Sequence, residues 1–213
     1  MTVEKQRDDI LLAVLPHVLF DGWSWRALEA GLKDVNLSPT ECRLIFPGGV
    51  LELAAHFSNY ADRQMLRQLN SMDLALLSVR DRIITATRAR LEVVAPYREP
   101  VRRLLAFLSM PQNNPTGLRC SFNTVDAIWY AAGDTATDFS YYSKRGLLLG
   151  IYSATVLYWL ADESEEFCET WSFLERRIDD VQSIPKLGGK VIGRLKKGLG
   201  IMPRQGRRIF RPI

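Results

Sequence analysis

Apolar residues recur at three- and four-residue spacing along almost the whole 213-residue chain, and no stretch alternates apolar with polar side chains as a strand would. A period near 3.6 places such residues on one side of a helix, so the sequence predicts an all-α fold. The first helix is expected over residues 4–20, with Ile10, Leu11, Val14, Leu15 and Val18 inward, a bend at Pro16 and a break at Asp21-Gly22. Two short helices follow, in "WSWRALEAGLKDV" (23–35) and "NLSPTECRLIFPGG" (36–49). In the second, Ser38 suits an N-cap, Pro39 the first turn, and Glu41 stands at capping-box spacing from Ser38. Two short helices joined by a tight turn make a helix-turn-helix. Longer helices are predicted over 50–70, 72–94, 99–109 and 124–132, then from Thr137 or Asp138 to 161, and from Ser164 onward. "MPQNNPTG" (110–117) is the clearest loop.

With 47% hydrophobic and 24% charged residues, the chain is not of the disordered class. Its three cysteines, Cys42, Cys120 and Cys168, form no CxxC pair, which argues against structural zinc and a disulfide framework. The longest uncharged apolar run, 146–161, falls short of the roughly 20 residues of a spanning helix. The opening "MTVEKQRDD" mixes acids and bases, unlike a signal or transit peptide. The net charge of +4 conceals an asymmetry: residues 181–213 hold nine Lys or Arg and no acid, leaving a body of net −5. Such a tail suits an anionic partner, nucleic acid or a membrane surface. Three regions are expected: 1–48, a helix-turn-helix-like unit; 49–183, a larger helical domain; and 184–213, a basic tail.

Residues 19–57 resemble the N-terminal domain of TetR-type regulators, through Gly22, Leu28, Ala30, the turn at Asn36-Leu37-Ser38, Leu44 and Phe46. The departures fall where DNA contacts belong. Those regulators carry an aromatic before the Phe and a Lys after it, where this chain has Ile45 and Pro47-Gly48-Gly49. Between Asp21 and Arg63, four bases face six acids. A module of net −2 is poorly suited to neutralising phosphates, so no nucleic acid is expected as a partner.

A second resemblance is longer. "AGDTATDFSYYSKRGLLLGIYSATVLYWLADESEEFCETWSFLERRIDDV" (132–181), with "LPHVLFDGWSW" (15–25), resembles the family of the ninth coenzyme Q biosynthesis protein, an accessory lipid-binding family with a TetR-like fold. The resemblance implies a non-enzymatic protein that binds an isoprenoid quinone precursor or a phospholipid and presents substrate to the di-iron demethoxyubiquinone hydroxylase. It further implies a partner patch at Ile128, Ala131, Asp138, Tyr141, Tyr142 and Arg145, with Tyr141 standing where the family often has Trp. A peripheral position at the inner membrane of a bacterium is expected, or on the matrix side of the mitochondrial inner membrane if a presequence has been removed; a homodimer is also expected. The rival reading is a ligand-responsive TetR-type transcription regulator.

Taken without the family, residues 147–160 read as a helix apolar on every side, hence buried. They form packed core, or they line a tunnel for an isoprenoid tail. Leu148, Ile151, Tyr152, Thr155 and Trp159 share one face and are the lipid-binding candidates, with Arg145 at their polar end to meet a head-group, solvent or a partner. In the tail, Leu187, Val191, Ile192, Leu195 and Leu199 lie on one side at helical spacing, and Lys186, Lys190, Arg194 and Lys197 on the other. That is the pattern of an interfacial helix touching a membrane, or else of a basic tail in solution. Five glycines there, each costing about 0.8–1 kcal/mol relative to Ala, make such a helix weak in water. Glu52 and His56 stand four apart, but no further ligand spacing accompanies them, and no nucleophile elbow or phosphate loop occurs. No catalytic residue, metal site or cofactor is therefore assigned.

Overall fold

The computed structural model describes residues 2–134 and 139–183; among them there are helices and turns but no strand. Nine α-helices follow in order: α1 Val3–Asp21, α2 Trp25–Asp34, α3 Pro39–Ile45, α4 Gly49–Asn70, α5 Val79–Val94, α6 Arg98–Ser109, α7 Asn114–Ala131, α8 Phe139–Ala161 and α9 Cys168–Ser183. The described residues up to Ile178 form one compact unit. None of the described helices is long and apolar enough to cross a membrane.

The helix starts follow local chemistry. Thr2 and Ser24 cap α1 and α2, and Ser38 with Glu41 closes a full capping box at α3. α1 runs on through Pro16, buries the five residues expected of it, and ends at Gly22 with φ +66°, a value that glycine adopts without strain. Two expectations are corrected. Residues 72–94 are not one helix, because Asp73 caps a 3₁₀ turn at Leu74–Leu76 and Ser78 caps α5, so short polar side chains take the backbone N–H groups a continuous helix would need. The loop expected over 110–117 is cut short at Asn114, since Pro115 sits in the first turn of α7, where its missing N–H costs nothing.

α1 and α2 meet at Gly31. A Cβ there would lie 2.5 Å from Val14 Cγ2 and 2.7 Å from Val14 Cα, so backbone as well as side chain would have to move. Gly31→Ala is expected to destabilise the fold by about 1–3 kcal/mol through overpacking, read as a lower urea midpoint at unchanged slope.

The end of α8 is held from two sides. Arg98 donates to the carbonyls of Trp159 and Asp162, and Arg102 to that of Leu160, which satisfies acceptors the helix leaves open. Asp162, itself buried, accepts from the Ser164 amide (2.8 Å), the Thr170 amide (2.9 Å) and the Thr170 hydroxyl (2.5 Å). Burial acts to raise the pKa of this carboxyl, but the hydrogen bonds from Ser164 and Thr170 outweigh it and hold it at about 2 against an ordinary 3.8. A folded pKa below the unfolded one contributes stability that is complete above pH 3.8 and is lost as pH falls from there toward 2. Asp162→Asn is expected to cost about 1–3 kcal/mol near neutral pH and to lessen the decline through that window, as urea midpoints above and below it would record.

Candidate functional site

Between α4, α5, α6, α7 and α8 lies a cavity of about 310 Å³. Its walls are Phe57 of α4, Leu91 and Val94 of α5, Val101, Leu104, Leu105 and Leu108 of α6, and Val156 and Leu157 of α8. The α6 members recur at i, i+3, i+4 and i+7, so the helix turns its whole apolar stripe into the space. Exposed Ser109, Ser153 and Leu157 mark the mouth. At about 30 Å³ for a water-sized group, the volume holds roughly ten non-hydrogen atoms, or two isoprene units.

The lining also carries the hydroxyls of Ser58, Ser109, Ser121, Thr124 and Ser153 and one charged side chain, Arg90, which is held in a buried ion pair. Arg90 Nε donates to Asp62 Oδ1 (2.7 Å) and Nη2 reaches the Ser58 carbonyl (3.4 Å), while the Thr124 hydroxyl bonds the same carboxylate (2.9 and 3.1 Å). Burial opposes the charge on Arg90, but the charge and hydrogen bond of the Asp62 carboxylate hold its pKa above the ordinary guanidinium value. Burial also raises the pKa of the Cys120 thiol and the Tyr152 phenol, keeping both neutral.

Of the six lipid-binding candidates, Tyr152 alone lines this cavity. Leu148 and Trp159 are packed in the core, Ile151 is half-buried against it, and the Thr155 hydroxyl donates to the Ile151 carbonyl (2.8 Å). The stripe of α8 that meets the cavity is Tyr152, Ser153, Val156 and Leu157, turned partway round the helix from the expected face. Arg145 does not wait for a head-group. Its guanidinium is buried, bonds Asp126 (2.5 Å) and Asp134 (3.1 Å), and lies 3.4 Å over the Tyr141 ring.

The expected partner patch is divided. Ile128 is 0% exposed and Arg145 is buried, so neither offers a surface, because the inner face of α7 and the Asp126/Asp134 pair hold them inside. Ala131 is half-buried, as is Tyr141, whose hydroxyl donates to Asp126 (3.0 Å); Tyr142 is 68% exposed. Asp138 lies outside the described residues, as do the membrane-binding candidates Leu187, Lys190, Val191, Arg194, Leu195, Lys197 and Leu199.

Glu52 and His56 each pair with α1: Glu52 with Arg7 (2.7 Å) and His56 with Asp8 (2.8 Å). His56, Glu4 and Asp8 come within 4.8 Å of one another, but Arg63 sits on both carboxylates at 2.5 Å, which makes this an ion-pair network joining α1 to α4. Burial lowers the His56 pKa despite its hydrogen bond to Asp8.

Asp62 and Arg90 were not among the expected site residues, although one signal was readable. Ile83, Ala86, Thr87, Arg90, Leu91 and Val94 are all buried at helical spacing, so a base stands inside the apolar stripe of α5. A cation in such a stripe requires a partner. Its identity depends on a contact 28 residues away.

A helix-turn-helix-like unit packed on a larger helical bundle with an internal cavity defines a TetR-like fold. The chain superposes on a TetR transcriptional regulator from Nitrosomonas europaea with a TM-score of 0.67, covering 82% of this chain and 97% of that one at 24% identity. Residues 114–185, beginning at the first residue of α7, match the COQ9 family. The chain is 35% identical over 203 residues to the ubiquinone biosynthesis protein COQ9-A, mitochondrial, of Xenopus laevis, covering 89% of this chain and 64% of that protein. With the human COQ9 protein it shares 32% over 188 residues, 85% of this chain and 59% of that one. The chain thus resembles the COQ9 proteins over most of its own length, and it spans less than two thirds of the length of these relatives.

Proposed function

We propose that this chain is a non-enzymatic accessory factor of ubiquinone biosynthesis that takes an isoprenoid lipid into the α4–α8 cavity and delivers it to the demethoxyubiquinone hydroxylase. The observation that carries the reading is the cavity itself, nearly all apolar and open at one side, in a chain similar to proteins named for ubiquinone biosynthesis. Its volume takes roughly the first ten non-hydrogen atoms of a ligand, so a longer polyprenyl chain would pass out through the mouth. Membrane contact is assigned to the basic tail over residues 184–213, and docking to the accessible part of the patch around Tyr142, Tyr141 and Ala131. A homodimer and a peripheral place at the inner membrane complete the proposal. The frog and human relatives are named as mitochondrial, which favours the mitochondrial alternative over a bacterial cytoplasm.

DNA reading forms no part of it. α3 has only seven residues, with one base, Arg43, and one acid, Glu41, so it offers no net charge to phosphate.

The test is solvent extraction of the purified protein and mass spectrometry of the extract, for the wild type and for Leu104→Trp, whose larger ring occupies the cavity. Isoprenoid lipid in the wild type, reduced at least tenfold in the variant, is the expected result. An extract without lipid, from protein that also fails to take up added isoprenoid, would overturn the reading. Liposome sedimentation with and without residues 182–213 tests the tail, and a hydroxylase pulldown with Tyr142→Ala tests the patch.

A further inference from the structure

The two segments that frame the cavity's mouth carry no acid. None occurs between Glu99 and Asp126, which span most of α6 and α7, nor between Asp138 and Asp162, which span α8, although the chain has 24 Asp and Glu in all. The described acids that flank these runs are engaged elsewhere. Glu99 pairs with Arg102 and Arg103 (3.2 Å each), Asp126 with Arg145 (2.5 Å), and Asp162 accepts from Ser164 and Thr170. Arg102 holds the Leu160 carbonyl at one end of the α6–α8 seam, while Ser109 and Ser153 flank the mouth at the other.

At the mouth itself the exposed side chains are apolar. Leu157 is 63% exposed on the rim, Met110 (44%) follows Ser109, and Leu118 (58%) follows Gly117, a lining residue packed against Leu108. Apolar residues exposed singly mean little, but these three stand around one opening. Beside them Arg119 is exposed, with neither a hydrogen bond nor an ion pair from its side chain among the described residues.

An apolar rim with an unpaired cation, framed by segments without acid, complements an anionic bilayer. Its leucines and methionine can enter the boundary between head-groups and acyl chains while the guanidinium stays among the phosphates. A stable protein contact buries about 800 Å² on each side, more than three side chains supply, whereas a bilayer sets no such footprint. An isoprenoid crossing open water would also expose its whole apolar surface, and a mouth pressed onto the bilayer keeps that surface covered.

Resting on the lipid-carrier reading, we infer that Met110, Leu118, Leu157 and Arg119 form a membrane-docking rim that seats the cavity's mouth on an anionic phospholipid bilayer. This contact belongs to the folded body and is additional to the one assigned to the tail. It sets the orientation in which lipid enters.

The test places an environment-sensitive dye at Leu118→Cys in the full chain, with the exposed cysteine removed as Cys168→Ser; Cys42 and Cys120 are buried. A second protein carries the dye at Phe20→Cys, another exposed apolar site, on α1. On vesicles of phosphatidylcholine and phosphatidylglycerol, the dye at 118 is expected to shift to shorter wavelength and to be quenched by brominated acyl chains. The dye at 20 should do neither. Quenching at 118 should fall severalfold on phosphatidylcholine alone and in an Arg119→Glu background. Neither Leu118 nor Arg119 lines the cavity, so Leu118→Asp/Arg119→Glu should still bind geranylgeraniol supplied in detergent. From the anionic vesicles it should take that lipid up about tenfold more slowly than the wild type. No quenching at 118, equal quenching at both sites, or unchanged uptake by the double variant would overturn the inference. In each of those cases, wild-type binding of geranylgeraniol from detergent would leave the carrier reading standing. Absence of that binding would overturn the carrier reading, while quenching at 118 would still decide whether the rim docks.

Discussion

Replacing Arg90 alone with Met is expected to lower stability by about 3–5 kcal/mol, because it leaves the Asp62 carboxylate buried without its cation. For a chain of this size that corresponds to a fall of roughly 10 °C or more in melting temperature. The loss does not measure the worth of the pair. Two ions taken out of water recover in mutual attraction little more than their desolvation cost, so Arg90→Met/Asp62→Leu should return most of the stability. A thermodynamic cycle over the two singles and the double, followed by urea denaturation, distinguishes the cases. If both singles cost less than about 1 kcal/mol, water reaches the pair and the site is wet.

Trp159→Ala is expected to cost a similar amount, about 3–5 kcal/mol, with no change in lipid affinity per folded molecule. Trp159 is 0% exposed, with Phe167 5.9 Å away between ring centroids and the Arg98 guanidinium 5.7 Å from its ring. Alanine would leave a void at the junction of α8 with the following turn, where Arg98 also holds the Trp159 carbonyl. The indole N–H has no hydrogen-bond partner, so Trp159→Phe sacrifices only volume and should cost far less than alanine. A drop in lipid affinity for Trp159→Ala, measured where the protein remains folded, would move the binding site toward the α8 face read from the sequence.

That contrast shows why an apolar helix is hard to read. Along α8, hydrophobicity on all sides signals burial but not what each side is buried against. Leu148 and Trp159 are packed in the core away from the cavity, while Val156, of the same core, and Leu157 also line it. The difference lies in how far α6 stands from α8, a property of neither segment alone. Arg145 misled for a related reason. A cation in the first turns of a helix can equally reach solvent, a ligand or a partner, and the two aspartates that claim it come from α7 and the residues just after it. Removing Arg145 would disturb this junction, so loss of docking in an Arg145→Ala variant would not by itself locate a partner surface.

What the sequence determined by itself was local or periodic in origin. Capping chemistry at Ser38, the glycine stop at Gly22, the inward residues of α1 and the all-helical class follow from short-range sterics, hydrogen bonding and a 3.6-residue repeat. The long motifs from 132 to 181 were legible for the same reason, as contiguous strings of residues. Only the tertiary structure decided where the cavity lies, which stripe of α8 faces it, and that the one charged side chain lining it, Arg90, is paired with Asp62. A cavity is the space that several helices fail to fill together, and a buried ion pair is a meeting of distant residues. Neither leaves a period or a spacing in the chain that makes it.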